Sequence, residues 1–525
     1  MKAFVYKSWS FREAAGMKVD DFSPDRPVIF ETGFGPSGRP HIGTFAEVAR
    51  TTMVLNSFKK LHPERAIKLY VFCDDMDGLR RVPGNVPNRQ MLKEHLGKPL
   101  HKIPDPFGTE KSYSAHMENE LVGMLSRFGF EFELKSSAAE YGAGVFNEAL
   151  QRVLDCYEKI RQLVLPTLQP ETRKHWSPII PICEKCGRLY TTLVTGHDPI
   201  KKTVTYACTA AFGDEGERVS GCGHTGEITV LDGHVKVGWK IDWALRWFTY
   251  GVCYEMYGKD LIESARLSGR ITKILGSDPP LGMVYEMFLD ERGKKISKSV
   301  GEGLTVDSWL TYAPVESLFC YLFHNPKKQR RLYFDIIPKS VDDYLDALRE
   351  YPALDHTARP DSVVWHMERI GLESQAYTGR INFSLILNLI SAIGAGDKDL
   401  LGEYVRRYDP ETEKNQHVIS GMIERAALYF NKFIEPKKQY RKPTHDERLW
   451  FESILERLDK NQGEDENEFQ AIVFDAAREH EADPRAIFRA IYEVILGQER
   501  GPRFGTFVKL VGKTRAMDMI KDKLA

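Results

Sequence analysis

The chain has 525 residues, 42 % of them hydrophobic, which is more than a single core absorbs and predicts two to four domains. A formal charge of −1 excludes a uniformly basic nucleic-acid coat, so a nucleic-acid partner must meet local basic surface. No apolar run reaches spanning length, MKAFVYKSWSFREAA lacks a signal-peptide core, and the eight cysteines are sparse, so a cytoplasmic protein with reduced thiols and no membrane partner is expected.

The first predicted element is PVIFETG (Pro27 to Gly33), a short apolar run ending in glycine that reads as a buried strand. HIGTFAEVARTTMVLNSFKKL then places Phe45, Val48, Ala49, Thr52, Met53, Leu55 and Phe58 near helical spacing. AIKLYVFCDD (Ala66 to Asp75) is a second strand-type run. Strand, glycine-rich loop, helix and strand open a parallel α/β sheet of Rossmann type, whose ligands bind beyond the carboxyl ends of the strands.

From about Pro170 to Gly238 the segments become short, turn-rich and β-leaning, and they carry the paired cysteines. WKIDWALRWFTYGVCYEMYGKD returns to amphipathic helix and strand, KISKS follows on a loop, and beyond about Thr305 the pattern is helical. The expected organisation is a Rossmann-like catalytic domain in two parts, residues 1–169 and 239–335, the second bearing the KISKS loop. A small β-rich insertion (170–238) separates them, and an all-α domain (336–525) follows.

In GPSGRPHIGTF, Gly33, Gly35 and Gly38 allow backbone N–H groups to approach a ligand closely. The helix starting near His41 offers unpaired N–H groups and a positive dipole end to phosphate oxygens. His41 is placed to donate to a phosphate, and Gly43 leaves room for a base or ribose; taken alone, the stretch is equally a glycine-rich turn with a capping histidine. DERGKKISKSVGEG sets Lys294, Lys295 and Lys298 on a glycine- and serine-bearing loop, suited to following charge onto a leaving pyrophosphate. Both stretches, in this order and separated by an insertion, are expected to serve one nucleotide.

PHIGT and KISKS resemble the HIGH and KMSKS motifs of class I aminoacyl-tRNA synthetases, with Thr44 in place of the second histidine and Ile296 in place of methionine. With GPSGRPHIGTFAEVART, CDDMDGLRRVPGNVPN, DPFGTEKSYSAHM, WKIDWALRW, YGKD and LGQERGPRFGTFVKL, the chain resembles, essentially end to end, the class I lysyl-tRNA synthetases. That resemblance implies a lysine–tRNA ligase: the lysine carboxylate attacks the α-phosphate of ATP, pyrophosphate leaves, and the terminal ribose of tRNA(Lys) accepts the lysyl group. No covalent enzyme intermediate is needed, so positioning and charge stabilisation suffice. By the same resemblance His41 and Lys298 contact the transition state with Lys295 assisting, and ATP, arriving with Mg²⁺, lies on Ser37, Gly38, His41, Gly43, Thr44 and Lys298.

Lysine itself is expected in the same crevice. Gly33, Gly35 and Trp239 line its pocket by family analogy, and Asp74, after the second strand, resembles the acidic residue that holds the α-amino group in glutamyl enzymes of this class. Asp75 and Asp77 equally suit capping of the GLRR turn. The ε-ammonium needs an acceptor or an aromatic face; Glu31 is the expected acceptor from position and charge, with Trp239 and Tyr285 supplying π faces. Trp243 and Trp247 are expected in the core. A glutamyl enzyme would instead present Arg to the side chain, and a non-catalytic RNA-binding derivative would have lost His41 or Lys298.

Cys183, Cys186, Cys208 and Cys222 suit a tetrahedral structural Zn²⁺, with His224 able to replace a thiolate and unliganded reduced thiols the plain alternative; Cys73, Cys156, Cys253 and Cys320 are expected in the core. Basic runs with interleaved aromatics, Lys327, Lys328, Arg330 and Arg331, then Lys437, Lys438, Tyr440 and Arg441, are the candidate tRNA contacts, each equally a solvated face. The helical part resembles an α-helix cage that reads the anticodon. The expected partners are tRNA(Lys), lysine and ATP, and the protein is expected to be a monomer.

Overall fold

The computed structural model describes residues 6–84, 86–213, 217–294, 304–372, 376–394 and 398–525. At its centre is a parallel sheet of β1 (Val28–Phe34), β2 (Ile67–Cys73), β3 (Glu133–Ser136) and β4 (Val252–Glu255), in the order β4-β1-β2-β3. The register is continuous from Val28↔Ile67 to Phe34↔Cys73, so β1 and β2 end level with each other. Val28 to Thr32 are all buried; a strand covered on both faces reads as an unbroken apolar run, as PVIFETG does. Between β1 and β2 runs α1 (Ile42–Leu61), whose Phe45, Val48, Ala49, Met53 and Phe58 are buried.

The 170–238 segment forms short strands: Leu193–Asp198, Thr203–Ala207 and Thr225–Thr229 make one antiparallel sheet, and Ile179–Pro181 pairs with Val235–Val237. That last pair returns the chain directly to α2 (Trp239–Tyr250) and then β4. The buried core around Phe72, Phe146, Leu150, Val237, Ile241 and Leu245 joins the sheet, α2 and the root of these strands.

The chain divides into two compact units that interleave in sequence. The first takes residues up to Val306 together with Leu322–Tyr333 and Leu354–Glu373; the second takes Asp307–Tyr321, Phe334–Ala353 and Ser374–Ala525. A single boundary at residue 335 is therefore too simple. The 354–373 segment belongs with the first unit because Asp361 accepts the backbone N–H groups of Lys7 and Ser8 at 2.8–2.9 Å and Ser10 Oγ lies 3.3 Å from Nε2 of the buried His366. The second unit is built from helices, among them Ile337–Glu350, Phe383–Ile393, Gln416–Tyr429, His445–Lys460, Glu466–Glu479 and Phe504–Val511. Thr444 and Glu447 start the fourth of these with a reciprocal capping box.

Candidate active site

β1 ends at Phe34, and the chain turns through Gly35 to Pro40 before α1 begins. His41 is the N-cap of α1; its backbone is extended and its Nδ1 accepts the Thr44 N–H at 3.1 Å. A neutral imidazole that accepts at Nδ1 carries its proton on Nε2, so the ring is held as a donor. Gly43 makes this pose possible, because a Cβ there would lie 2.7 Å from His41 Cε1 and 2.8 Å from Nδ1. The first turn of α1 adds its N–H groups and positive dipole end. A Cβ on Gly33, Gly35 or Gly38 would meet nothing within 4 Å, so packing within the chain does not demand glycine at those positions. Tyr113 anchors the loop by donating to the Ser37 carbonyl at 3.0 Å. Thr44 is only 8 % exposed and contributes through its backbone N–H.

At the carboxyl ends of the strands lies a buried network that the sequence did not announce. α2 sets Trp239, Asp242, Trp243, Arg246 and Trp247 at positions i, i+3, i+4, i+7 and i+8, one face of a helix. Arg246, 5 % exposed, brings Nε to 3.1 Å from Glu31 Oε1 and a terminal nitrogen to 3.2 Å from Asp74 Oδ1. Its guanidinium carbon is 4.3 Å from the centre of the Phe72 ring. Lys236 lies 3.0 Å from Asp77 and 3.7 Å from Asp242, which also accepts from the Tyr141 hydroxyl at 2.6 Å. Glu255 on β4 accepts the indole N–H groups of Trp243 at 2.7 Å and Trp247 at 2.5 Å, so both tryptophans are core residues with their polar edges satisfied.

Five carboxylates (Glu31, Asp74, Asp77, Asp242, Glu255) thus surround two cations, Lys236 and Arg246. Burial pushes the Asp74 carboxyl up to about 7, with Arg246 and Lys236 opposing and Asp77 and Asp242 adding to the rise. Burial also raises Glu31 and Glu255 against the pull of Arg246. Both cations are held firmly charged: burial would lower them, and the surrounding carboxylates outweigh it.

Glu31 therefore has a different partner from the expected ε-ammonium: its side chain is fully buried and lies in an ion pair with Arg246. Asp74 remains partly exposed, with 27 % of its side chain accessible. Asp75 and Asp77 do not cap the GLRR turn. Asp75 accepts from Ser136 Oγ and the Ala138 N–H, each at 2.7 Å, while Asp77 pairs with Lys236. Trp239 is 42 % exposed at the start of α2, with its ring centre 5.7 Å from that of Trp243. Tyr285 donates to Glu47 on α1 at 2.6 Å, and Glu47 also accepts from the Gly33 N–H at 3.4 Å, so Tyr285 is tied to the end of β1. The expected contacts Lys295 and Lys298 lie outside the described residues; Lys294, which precedes them, donates its backbone N–H to Asp290 at 2.8 Å.

The Sγ atoms of Cys183, Cys186, Cys208 and Cys222 all lie within 4.8 Å of one another, with 183–222 at 3.6 Å and 186–208 at 3.7 Å. Four sulfurs about 2.3 Å from one tetrahedral Zn²⁺ would sit roughly 3.8 Å apart, so the donor set and spacing fit that ion. The backbone N–H of His224 chiefly holds the Cys222 thiol down at about 7, although burial opposes it, while burial pushes Cys183 up to about 12. His224 is not a member of the group; its Nε2 lies 3.9 Å from Glu184. Among the other cysteines Cys73 and Cys320 are buried, whereas Cys156 and Cys253 are half-buried.

Several cations of the basic runs are engaged within the protein. Lys327 pairs with Glu13 at 2.8 Å, and Lys438 donates to the Ser391 carbonyl at 2.8 Å beneath the rings of Phe430 and Tyr440. Arg441 bridges Glu447 and Glu493 at 2.7 Å each, whereas Lys328, Arg331, Lys437 and Tyr440 are exposed and Arg330 half-buried.

The family described as "tRNA synthetases class I (K)" matches residues 7–371. A protein of Rickettsia bellii named "Lysine--tRNA ligase" is 40 % identical over 99 % of this chain and 99 % of its own length. A protein of the same name from Roseobacter denitrificans is 41 % identical over 100 % of this chain and 97 % of its own. Among solved structures, a glutamate tRNA ligase from Elizabethkingia meningosepticum covers 95 % of this chain and 99 % of its own at 12 % identity, and its TM-score of 0.36 is too low to support any conclusion.

Proposed function

The chain belongs to the class I tRNA synthetases, and from that premise we propose that it is a lysine–tRNA ligase, activating lysine with ATP and passing the lysyl group to tRNA(Lys). The observation that carries the reading is the full-length likeness, near 40 % on both sides, to proteins named for that activity. The geometry supports it. His41 Nε2–H, the first turn of α1 and the open backbone beside Gly33, Gly35 and Gly38 form an anion-binding end to a parallel sheet.

In this reading the triphosphate lies on the Ser37–Thr44 segment, with His41 donating to a phosphate oxygen. Lys298, with Lys295, meets the charge that develops as pyrophosphate leaves. Mg²⁺ enters with ATP as a ligand of its phosphates. Asp74, a quarter open just beyond β2, receives the lysine α-ammonium, and the exposed indole of Trp239 lies along the lysine side chain. The lysine carboxylate then attacks the α-phosphorus, and the tRNA ribose hydroxyl attacks the resulting mixed anhydride. The four cysteines would hold a structural Zn²⁺ that pins the 183–222 strands. Residues 336–525 serve as the anticodon-binding part, and Lys328, Arg330, Arg331, Lys437 and Tyr440 contact the RNA.

The test is charging of total tRNA with a set of labelled amino acids. Lysine alone is expected to become acid-precipitable with tRNA. Charging with glutamate and not with lysine would overturn the assignment.

A further inference from the structure

Every amino acid brings an α-ammonium to a class I site, but the acceptor here is not a simple carboxylate in water. Asp74 sits on the rim of a network in which five carboxylates share two cations, and one of those cations, Arg246, is buried and divided between Asp74 and Glu31. Glu31 has no exposed surface and can reach no substrate; Asp74 keeps a quarter of its side chain open. A guanidinium is a rigid, planar fork, and its stacking on Phe72 at 4.3 Å fixes that plane. Arg246 therefore does two things to Asp74: it sets the direction of the open carboxylate oxygen, and it supports the ionised form.

We propose that Arg246 is a positioning residue for lysine: anchored on Glu31, it orients and charges Asp74, and the incoming α-ammonium completes the neutralisation that the protein leaves unfinished. The inference rests on the reading above, in which Asp74 receives the α-ammonium.

The groups facing Asp74 come from every neighbouring element. They are Glu31 on β1, Asp242 and Arg246 on α2, Lys236 on the strand before α2, Asp77 in its own loop, and Tyr141 on the Ser137–Gly142 helix. Burial raises the Asp74 carboxyl to about 7 against the pull of Arg246 and Lys236, so near neutrality the unliganded site keeps a proton on a large share of Asp74. A bound ammonium favours the ionised form and expels that proton. Lysine should thus bind better as pH rises through neutrality, because its own α-amino group stays protonated there. Without the Arg246 charge the Asp74 carboxyl rises further, and the same improvement is displaced to higher pH.

The experiment is lysine- and ATP-dependent pyrophosphate exchange with the full-length protein, tRNA present, from pH 6 to 8, for wild type, Arg246→Lys, Arg246→Gln and Asp74→Asn. The wild-type KM for lysine is expected to fall roughly tenfold per pH unit below neutrality and to level off above it. Arg246→Gln should raise that KM at least tenfold at pH 7 and move the inflection upward, with the KM for ATP changed less than twofold. Arg246→Lys should restore the inflection to within half a unit of wild type while the KM stays several-fold raised. Asp74→Asn should flatten the profile. If Arg246→Gln does not fold, Arg246→Lys and Asp74→Asn still decide the matter. An unshifted profile in Arg246→Gln, an unchanged lysine KM in Arg246→Lys, or a sloping profile in Asp74→Asn, would overturn the proposal. No lysine-dependent exchange in the wild type would instead overturn the ligase reading itself.

Discussion

At the scale of single residues, function and stability meet where a polar group is held by something the sequence does not place beside it. His41 was legible from its loop as a capping histidine and as a candidate phosphate donor; the cap is formed with Thr44, but its dependence on Gly43 was not legible, because it needs the first turn of α1 to be built. Gly43→Ala should displace the imidazole and slow lysine-dependent pyrophosphate exchange at least tenfold. The melting temperature should move by only a few degrees, since the substitution improves helix propensity by about 1 kcal/mol. Arg246 escaped the sequence reading because an arginine between two tryptophans looks like a helix face at a boundary, and its partners come from β1 and β2. Its truncation has a signed pH dependence. Arg246→Met leaves Glu31 buried without a counter-charge and Asp74 with Lys236 alone, costing about 3–5 kcal/mol where both are ionised. A carboxyl whose pKa is raised by folding loses stability as pH rises from its unfolded value toward its folded one. Urea melts of Arg246→Met should therefore show a smaller deficit at pH 5.5 than at pH 8. A deficit that grows toward low pH would contradict the burial of these groups.

At the scale of elements, the strands and helices that position the site were the most legible part. PVIFETG and AIKLYVFCDD became β1 and β2 with ends shifted by a residue or so, because a run buried on both faces carries its own signal. The cysteine insertion was legible in its composition and in its grouping of Cys183, Cys186, Cys208 and Cys222; what the stretched second half hid was the strand pair Ala211–Phe212 and Val219–Ser220 that brings the last two back. With one metal-binding group of four thiols among the described residues, the purified protein should carry about one zinc equivalent, and Cys222→Ser should lower that content and the melting temperature together, since a bound metal contributes directly to folding. Atomic absorption beside calorimetry checks this. Full metal loss with an unmoved transition would show that the thiols, not the ion, hold the insertion.

At the scale of the whole molecule, the second unit is rich in helices, and Lys7, Ser8 and Ser10 draw the 354–373 segment to the first unit. Contacts between positions more than 350 residues apart leave no local pattern. The basic runs were visible as charge, but charge alone did not separate engaged cations from open ones. Lys438 and Arg441 are spent on Ser391, Glu447 and Glu493, while Lys437 faces solvent. Lys437→Ala is expected to raise the KM for tRNA several-fold with lysine–ATP exchange unchanged, whereas Arg441→Ala should first lower the melting temperature. Equal effects of both on tRNA alone would show that the internal pairs open when RNA binds.

The central claim is that one site joins lysine to the α-phosphate of ATP. Single-turnover reactions with α-labelled ATP, tRNA(Lys) and each candidate amino acid, quenched in acid and resolved by chromatography, test it most directly. Wild type should form a labelled aminoacyl-adenylate and then AMP with lysine and not with glutamate, arginine or cysteine, and His41→Ala should form it at least a hundredfold more slowly. No adenylate with lysine, or an undiminished rate in His41→Ala, would contradict the account.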